Sequence, residues 1–154
     1  MKRIVAALTA CVTMTGVAHA EGRYLVADWD DNAVFVIDLE TIKETVFGHR
    51  SWVYSLNLEG KTDTLASGKK YDEVRSLMEF DCKDQRKRSL HHVAYFKNGY
   101  VAGGEINGNW DYLVPDTMGW NILKGVCSPS ERRTAFDSLE TVRLFHQAMQ
   151  AAPK

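Results

Sequence analysis

The chain has 154 residues, with 19 basic and 20 acidic side chains and a formal net charge of −1. That balance excludes the strongly basic footprint of a nucleic-acid-binding protein. The length argues for one domain, large enough to bury a core.

The N-terminus reads as a targeting segment. Met1-Lys2-Arg3, an apolar run over residues 4–17 and Ala18-His19-Ala20 are the basic, apolar and small-x-small parts of a secretion signal, with cleavage after Ala20. The run is too short and too rich in threonine to span a bilayer, and no later stretch approaches a transmembrane segment. Leu8-Thr9-Ala10-Cys11 resembles a lipoprotein cleavage box, although only residues 4–10 would then serve as its apolar core. Loss of residues 1–20 takes away Lys2 and Arg3 and leaves 17 basic and 20 acidic side chains, net −3. It also takes away Cys11, so Cys82 and Cys127 remain, an even number in an oxidising compartment with one pairing open to them. A bond between them closes a loop that the chain-entropy model credits with about 4 kcal/mol.

Residues 24–30 and 33–38 are two apolar, β-branched or aromatic runs flanking Asp30-Asp31-Asn32, which predicts a β-hairpin. Residues 39–45 form a connection of undefined type. Over residues 49–58, Trp52, Tyr54, Leu56 and Leu58 alternate with Ser51, Ser55 and Asn57, an antiparallel strand with one wet face. Residues 59–70 read as a polar loop. Val74, Met78, Phe80 and Cys82 then share a core face, opposite Glu73, Arg75, Glu79 and Asp81. Residues 86–96 predict another strand, and Asn98-Gly99 a type I′ turn into a returning strand at Tyr100-Val101. Gly103, Gly104 and Gly108 interrupt that strand before Trp110, Tyr112 and Val114 alternate again up to Pro115. Asp116-Thr117 caps a short helix to Cys127. Ser128-Pro129-Ser130-Glu131 has the form of a capping box opening a second helix, whose stripe is Ala135, Phe136, Leu139, Val142, Phe145 and Met149, with Leu144 on the polar side. The expected fold is α+β: an antiparallel sheet of about six strands with C-terminal helices and one disulfide.

The order of these features resembles the surface-adhesin protein E family of Gram-negative secreted proteins. The resemblance rests on Trp29, Phe35-Val36-Ile37-Asp38, the strand around Trp52, and Asp81-Cys82 followed by Arg86 and Arg88. Trp110-x-x-Leu113-x-Pro115-x-Thr117 and the closing Val126-Cys127 complete it. It covers residues 24–127 and implies a β-rich domain with a disulfide from a strand to a C-terminal helix. It further implies display at the cell surface and binding of host matrix or plasma proteins. The segment after Cys127 extends past the family's usual end, so residues 1–20, 21–127 and 128–154 divide into signal, β-rich domain and an amphipathic helix packed upon it.

Other chemistry is weakly encoded. Asp28, Asp30 and Asn32 match the start of a calcium loop, but Ala33 and Leu39 stand where glycine and glutamate are required, so a hairpin turn is the better reading. His91 and His92 point to opposite faces of a strand and do not form a metal site. Lys83, Arg86, Lys87 and Arg88 are the one basic cluster. They form a candidate patch for a sulfated polysaccharide or an acidic host protein, or else a solvated strand end. Trp52 and Trp110 alternate with aliphatics and are expected in the core. No catalytic motif, metal site or cofactor loop is present. The sequence therefore points to a non-enzymatic exported module, at the cell surface or in the medium, binding extracellular or host protein or polysaccharide. A periplasmic accessory protein with a cell-envelope partner is the alternative, and an undetected hydrolase ranks third. Homodimer formation is left open.

Overall fold

The computed structural model describes residues 22–57, 63–64, 70–96, 98–99, 101–106, 108–132 and 135–151. The expected leader, Cys11, Leu58 and most of the 59–70 stretch lie outside them. The strands are β1 (Tyr24–Trp29), β2 (Ala33–Asp38), β3 (Lys43–Thr45), β4 (Gly48–Asn57), β5 (Asp63–Thr64), β6 (Lys70–Tyr71), β7 (Glu73–Asp81), β8 (Arg86–Tyr95), β9 (Val101–Glu105), β10 (Asp111–Tyr112) and β11 (Ala135–Phe136). The helices are α1 (Met118–Cys127) and α2 (Leu139–Ala151).

Nine strands make one antiparallel sheet in the order β10-β8-β7-β4-β2-β1-β11, with β3 also on β4 and β9 also on β8. The α+β class is as expected; the sheet exceeds six strands because it gains the short β3, β10 and β11. β5 and β6 pair as a separate ribbon inside what reads as loop. Cys82 and Cys127 are bonded, with Cα atoms 5.8 Å apart, tying the end of β7 to the end of α1.

The core has two halves, one on each sheet face. On the first, Leu25, Ile37, Val53, Met78 and Phe80 pack against Ile122, Leu123 and Val126 of α1. Gly125 makes that seating close: a Cβ there would stand 2.5 Å from Ile37 Cδ1 and 2.9 Å from Leu25 Cδ2. On the second face, Val34, Val36, Tyr54 and Leu56 pack against Val142 of α2. This corrects the expectation of a wet face on β4. Ser51 and Asn57 are buried, because α1 covers their side of the sheet. Their polar atoms are satisfied locally: Ser51 Oγ donates to the Asp38 carbonyl (3.1 Å) and Asn57 Nδ2 to the Tyr71 carbonyl (2.8 Å).

The C-terminal segment departs further. Ser128 leads only into a 3-10 turn (Pro129–Glu131) and makes no side-chain cap. Arg132 then folds back, donating from Nε and Nη2 to the Gly125 and Val126 carbonyls and so satisfying the open end of α1. Ala135 and Phe136 are extended because they pair with Leu25 and Tyr24. The second helix therefore starts at Leu139, where Ser138 Oγ accepts from the Thr141 amide. Val142 and His146 form its buried side, Leu144 is exposed as expected, and Met149 is exposed against expectation. α1 is capped by Thr117, whose hydroxyl accepts from the Trp120 amide.

The turn between β8 and β9 also differs. The Gly99 amide donates to the Phe96 carbonyl, and Gly99 has φ +76°. Gly99 is thus the fourth residue of its turn, after a longer connection than a two-residue type I′ loop. The returning strand is two strands, β9 and β10, each pairing a different end of β8.

Candidate functional site

On the α2 side of the sheet, β7 carries acids and β8 carries arginines in register. Asp81 lies opposite Arg86 and Glu79 opposite Arg88. Arg86 donates from Nε and Nη2 to Asp81 Oδ2 (3.0 and 2.9 Å) and also pairs with Asp84 (3.4 Å). Arg88 binds Glu79 Oε2 through Nε at 2.8 Å and Nη2 at 2.6 Å. The two carboxylates are buried beneath their arginines. Asp81 is held below the usual carboxylate range, chiefly by the Asp84 amide and then by Arg86, against the cost of its burial.

The same arginines carry an aromatic cluster. Arg88 lies over the rings of Phe47 (5.3 Å) and Trp110 (4.7 Å), and Arg86 lies over Trp110 (4.9 Å). Phe47 and Trp110 meet edge to face at 5.3 Å. Tyr112 stands opposite Arg86 on β10 and is 74% exposed. Val46, beside Phe47 at the tip of the β3–β4 hairpin, is 93% exposed. Trp110 is therefore a surface residue half-buried by arginines, not a core residue as expected. Trp52 borders the second core cluster.

Of the basic residues singled out in the sequence, Arg86 and Arg88 share this face. Lys87 lies opposite Phe80, on the α1 side, and Lys83 is in the exposed β7–β8 turn. The four do not form one patch. What sequence reasoning missed was the cluster of Phe47, Trp110 and Tyr112 around the two arginines. A signal existed: four residues separate β7 from β8, which places Asp81 and Glu79 opposite Arg86 and Arg88.

Farther along this face lies a groove of about 270 Å³, lined in part by Arg23, Asp38, Trp52, Tyr54, Arg75 and Tyr95. Asp38 is fully buried. It accepts from Arg23 Nε (3.0 Å), Arg23 Nη2 (2.7 Å) and the Tyr54 hydroxyl (3.0 Å). Burial and the Asp38 charge raise the Tyr54 phenol well above its ordinary value, so it remains a donor and is unsuited as a base. Arg75 lies over the rings of Tyr54 (5.0 Å) and Tyr95 (4.4 Å) and binds Glu73 through Nε. Burial opposes its charge, but Glu73 outweighs that and raises its pKa.

The remaining candidates are structural. Asp30 Oδ1 accepts from the Asn32 and Ala33 amides and shapes the β1–β2 turn. Asp28 accepts from Asn121 and links β1 to α1. His91 packs edge-on to Trp52. His49 Nδ1 lies 3.4 Å from Cys82 Sγ, but both cysteine sulfurs are committed to the disulfide, which leaves no thiolate to join His49 around a metal.

Among curated proteins none matches the chain in sequence. Solved structures of Haemophilus influenzae protein E are similar to the chain. Crystal form II is 16% identical, with 66% of this chain and 91% of that chain covered and a TM-score of 0.46. A structure from the non-typeable organism is also 16% identical, covering 80% of this chain and 89% of that chain, with a TM-score of 0.47. The surface-adhesin protein E family profile matches residues 24–128, from the first strand through the bonded Cys127. Most of the described sheet, α1 and the disulfide fall within that match, and the chain belongs to the surface-adhesin protein E family.

Proposed function

We propose that this protein is an exported, non-enzymatic adhesin-like module that binds an extracellular host protein. The binding surface is the cluster of Phe47, Arg86, Arg88, Trp110 and Tyr112. The observation that carries the reading is the pair of arginines stacked on the half-buried Trp110, beside the exposed rings of Phe47 and Tyr112, at the sheet end formed by β8 and β10. Tryptophan, tyrosine and arginine dominate the energetics of protein interfaces, and rings already stacked lose little freedom on binding. The internal pairing of Arg86 and Arg88 favours a protein surface over a sulfated polysaccharide, because the carboxylates beneath them cancel the net charge a polyanion needs. Family membership supports surface display, and the locked Asp38 and Tyr54 support binding rather than catalysis.

The test is solid-phase binding of the oxidised, purified protein to immobilised matrix and plasma proteins, with protease shaving of intact cells. Saturable binding that falls about 30-fold or more in Trp110→Ala, equivalent to roughly 2 kcal/mol, supports the reading. Full protection of the protein until the outer membrane is opened refutes surface display. An envelope partner would then be sought for the same cluster.

A further inference from the structure

We infer that the groove over Arg75 is a second, separate site, and that it takes a neutral saccharide with one sugar ring seated against Trp52. Its volume of about 270 Å³ falls just below the roughly 300–1,000 Å³ of pockets for drug-sized ligands, which suits a single ring. A pyranose offers apolar C–H faces and a belt of hydroxyls, and the groove is built from the matching parts. Trp52 supplies an aromatic wall, with its indole met edge-on by His91 at 6.0 Å. Arg75 supplies the polar fork. It is clamped against Tyr54 and Tyr95, and among the described residues its terminal nitrogens have no hydrogen-bond partner, since Glu73 is reached through Nε.

Charge decides between ligand classes. Arg23 faces Asp38 and Glu40, and Arg75 and Arg143 share Glu73, so three arginines are balanced by three carboxylates and the lining offers donors and acceptors without a net field. An anion or a cation gains nothing here that it lacks in water; a polyhydroxylated neutral ring gains both stacking and fixed hydrogen bonds. Among the described residues, the row Tyr54, Arg75, Val93 ends at Gly103 on β9, which brings no side chain to the groove.

The experiment is a nitrogen-15 NMR titration of the intact, oxidised protein with maltotriose, cellotriose and triacetylchitotriose, each alone. At least one is expected to move the Trp52 indole, the Arg75 Nε–H and the Val93 amide saturably, with a Kd on the order of 1 mM. Tyr95→Ala should weaken that binding about tenfold, as should Val93→Trp, which fills the groove while leaving its polar groups in place. Trp110→Ala should leave it unchanged, which separates this site from the arginine–aromatic cluster. No saturable shift at the groove with any of the three sugars overturns the proposal. So does tighter, salt-sensitive binding of a sulfated disaccharide at the same residues.

Discussion

His146 offers a sharp test of how α2 is held. Its ring is 1% exposed, and among the described residues neither Nδ1 nor Nε2 has a partner at full hydrogen-bond geometry, the Asp30 main chain making only a weaker approach. A neutral imidazole has one N–H and one lone pair to satisfy, and leaving one of them buried and unpaired costs about 1–3 kcal/mol. Replacing His146 by leucine, an apolar side chain suited to the slot beside Val142, should therefore raise stability at pH 7 by about 1–3 kcal/mol. Titration provides the second readout. Burial depresses the His146 pKa below its ordinary 6.5, and the nearby Asp30, whose main chain and charge favour the imidazolium, does not compensate. The unfolded chain thus binds the proton more readily than the folded one. Stability is fully present above pH 6.5 and declines as pH falls toward the depressed folded value. The slope from this one group is at most about 1.4 kcal/mol per pH unit. Urea unfolding of wild type and His146→Leu between pH 4.5 and 8 measures both effects. If the variant is less stable at neutral pH, or keeps the same slope below pH 6.5, then His146 has a satisfied role and the reasoning fails.

Other parts of the fold carry their own expectations. Gly125→Val would force a side chain into Ile37 and Leu25 and should cost about 1–3 kcal/mol, read as a lower Tm with near-native circular dichroism. Replacing both Cys82 and Cys127 by alanine should lower stability by about 4 kcal/mol in denaturant unfolding, without loss of the β signal at 25 °C if the two core halves suffice. Asp81→Asn should flatten the acid limb of the stability profile. The Asp81 pKa is depressed, so its stabilisation is present above the normal carboxylate range and lost as pH falls through the folded value. Acid titration of intrinsic fluorescence would show this, and an unchanged limb would refute it.

Legibility from sequence followed the range of the interactions. The β1–β2 hairpin, the alternation of β4 and β7, the Thr117 cap and the cysteine pair were readable because each depends on neighbouring residues or on elimination. β11 was not. Ala135 and Phe136 sit behind an apparent capping box, and their partners Tyr24 and Leu25 are at the other end of the chain. Strand pairing there overrode a local helical pattern. The wet face assigned to β4 failed for a related reason: serine and asparagine read as solvent-facing until α1 supplies a cover and backbone carbonyls satisfy them. His146 escaped notice because it interrupts the apolar stripe, although its i, i+4 relation to Val142 places it on the same helix face. The basic cluster was misgrouped by adjacency. Period two alone separates Lys87 from Arg86 and Arg88.

The two sheet faces are closed unequally, and that asymmetry locates both proposed sites. The first face is sealed by α1, which is capped at one end by Thr117 and secured at the other by Arg132 and the disulfide. The second face is covered by α2 beside β1, β2 and the Leu56 end of β4. Arg143 marks the border of that cover, reaching the Asn57 carbonyl and Glu73. Beyond it, β7 and β8 cover their own surface with side chains. Buried acids hold arginines flat, and the arginines hold aromatic rings. Such a surface keeps its buried carboxylates paired and needs no further covering layer, yet it keeps apolar ring area open to a partner.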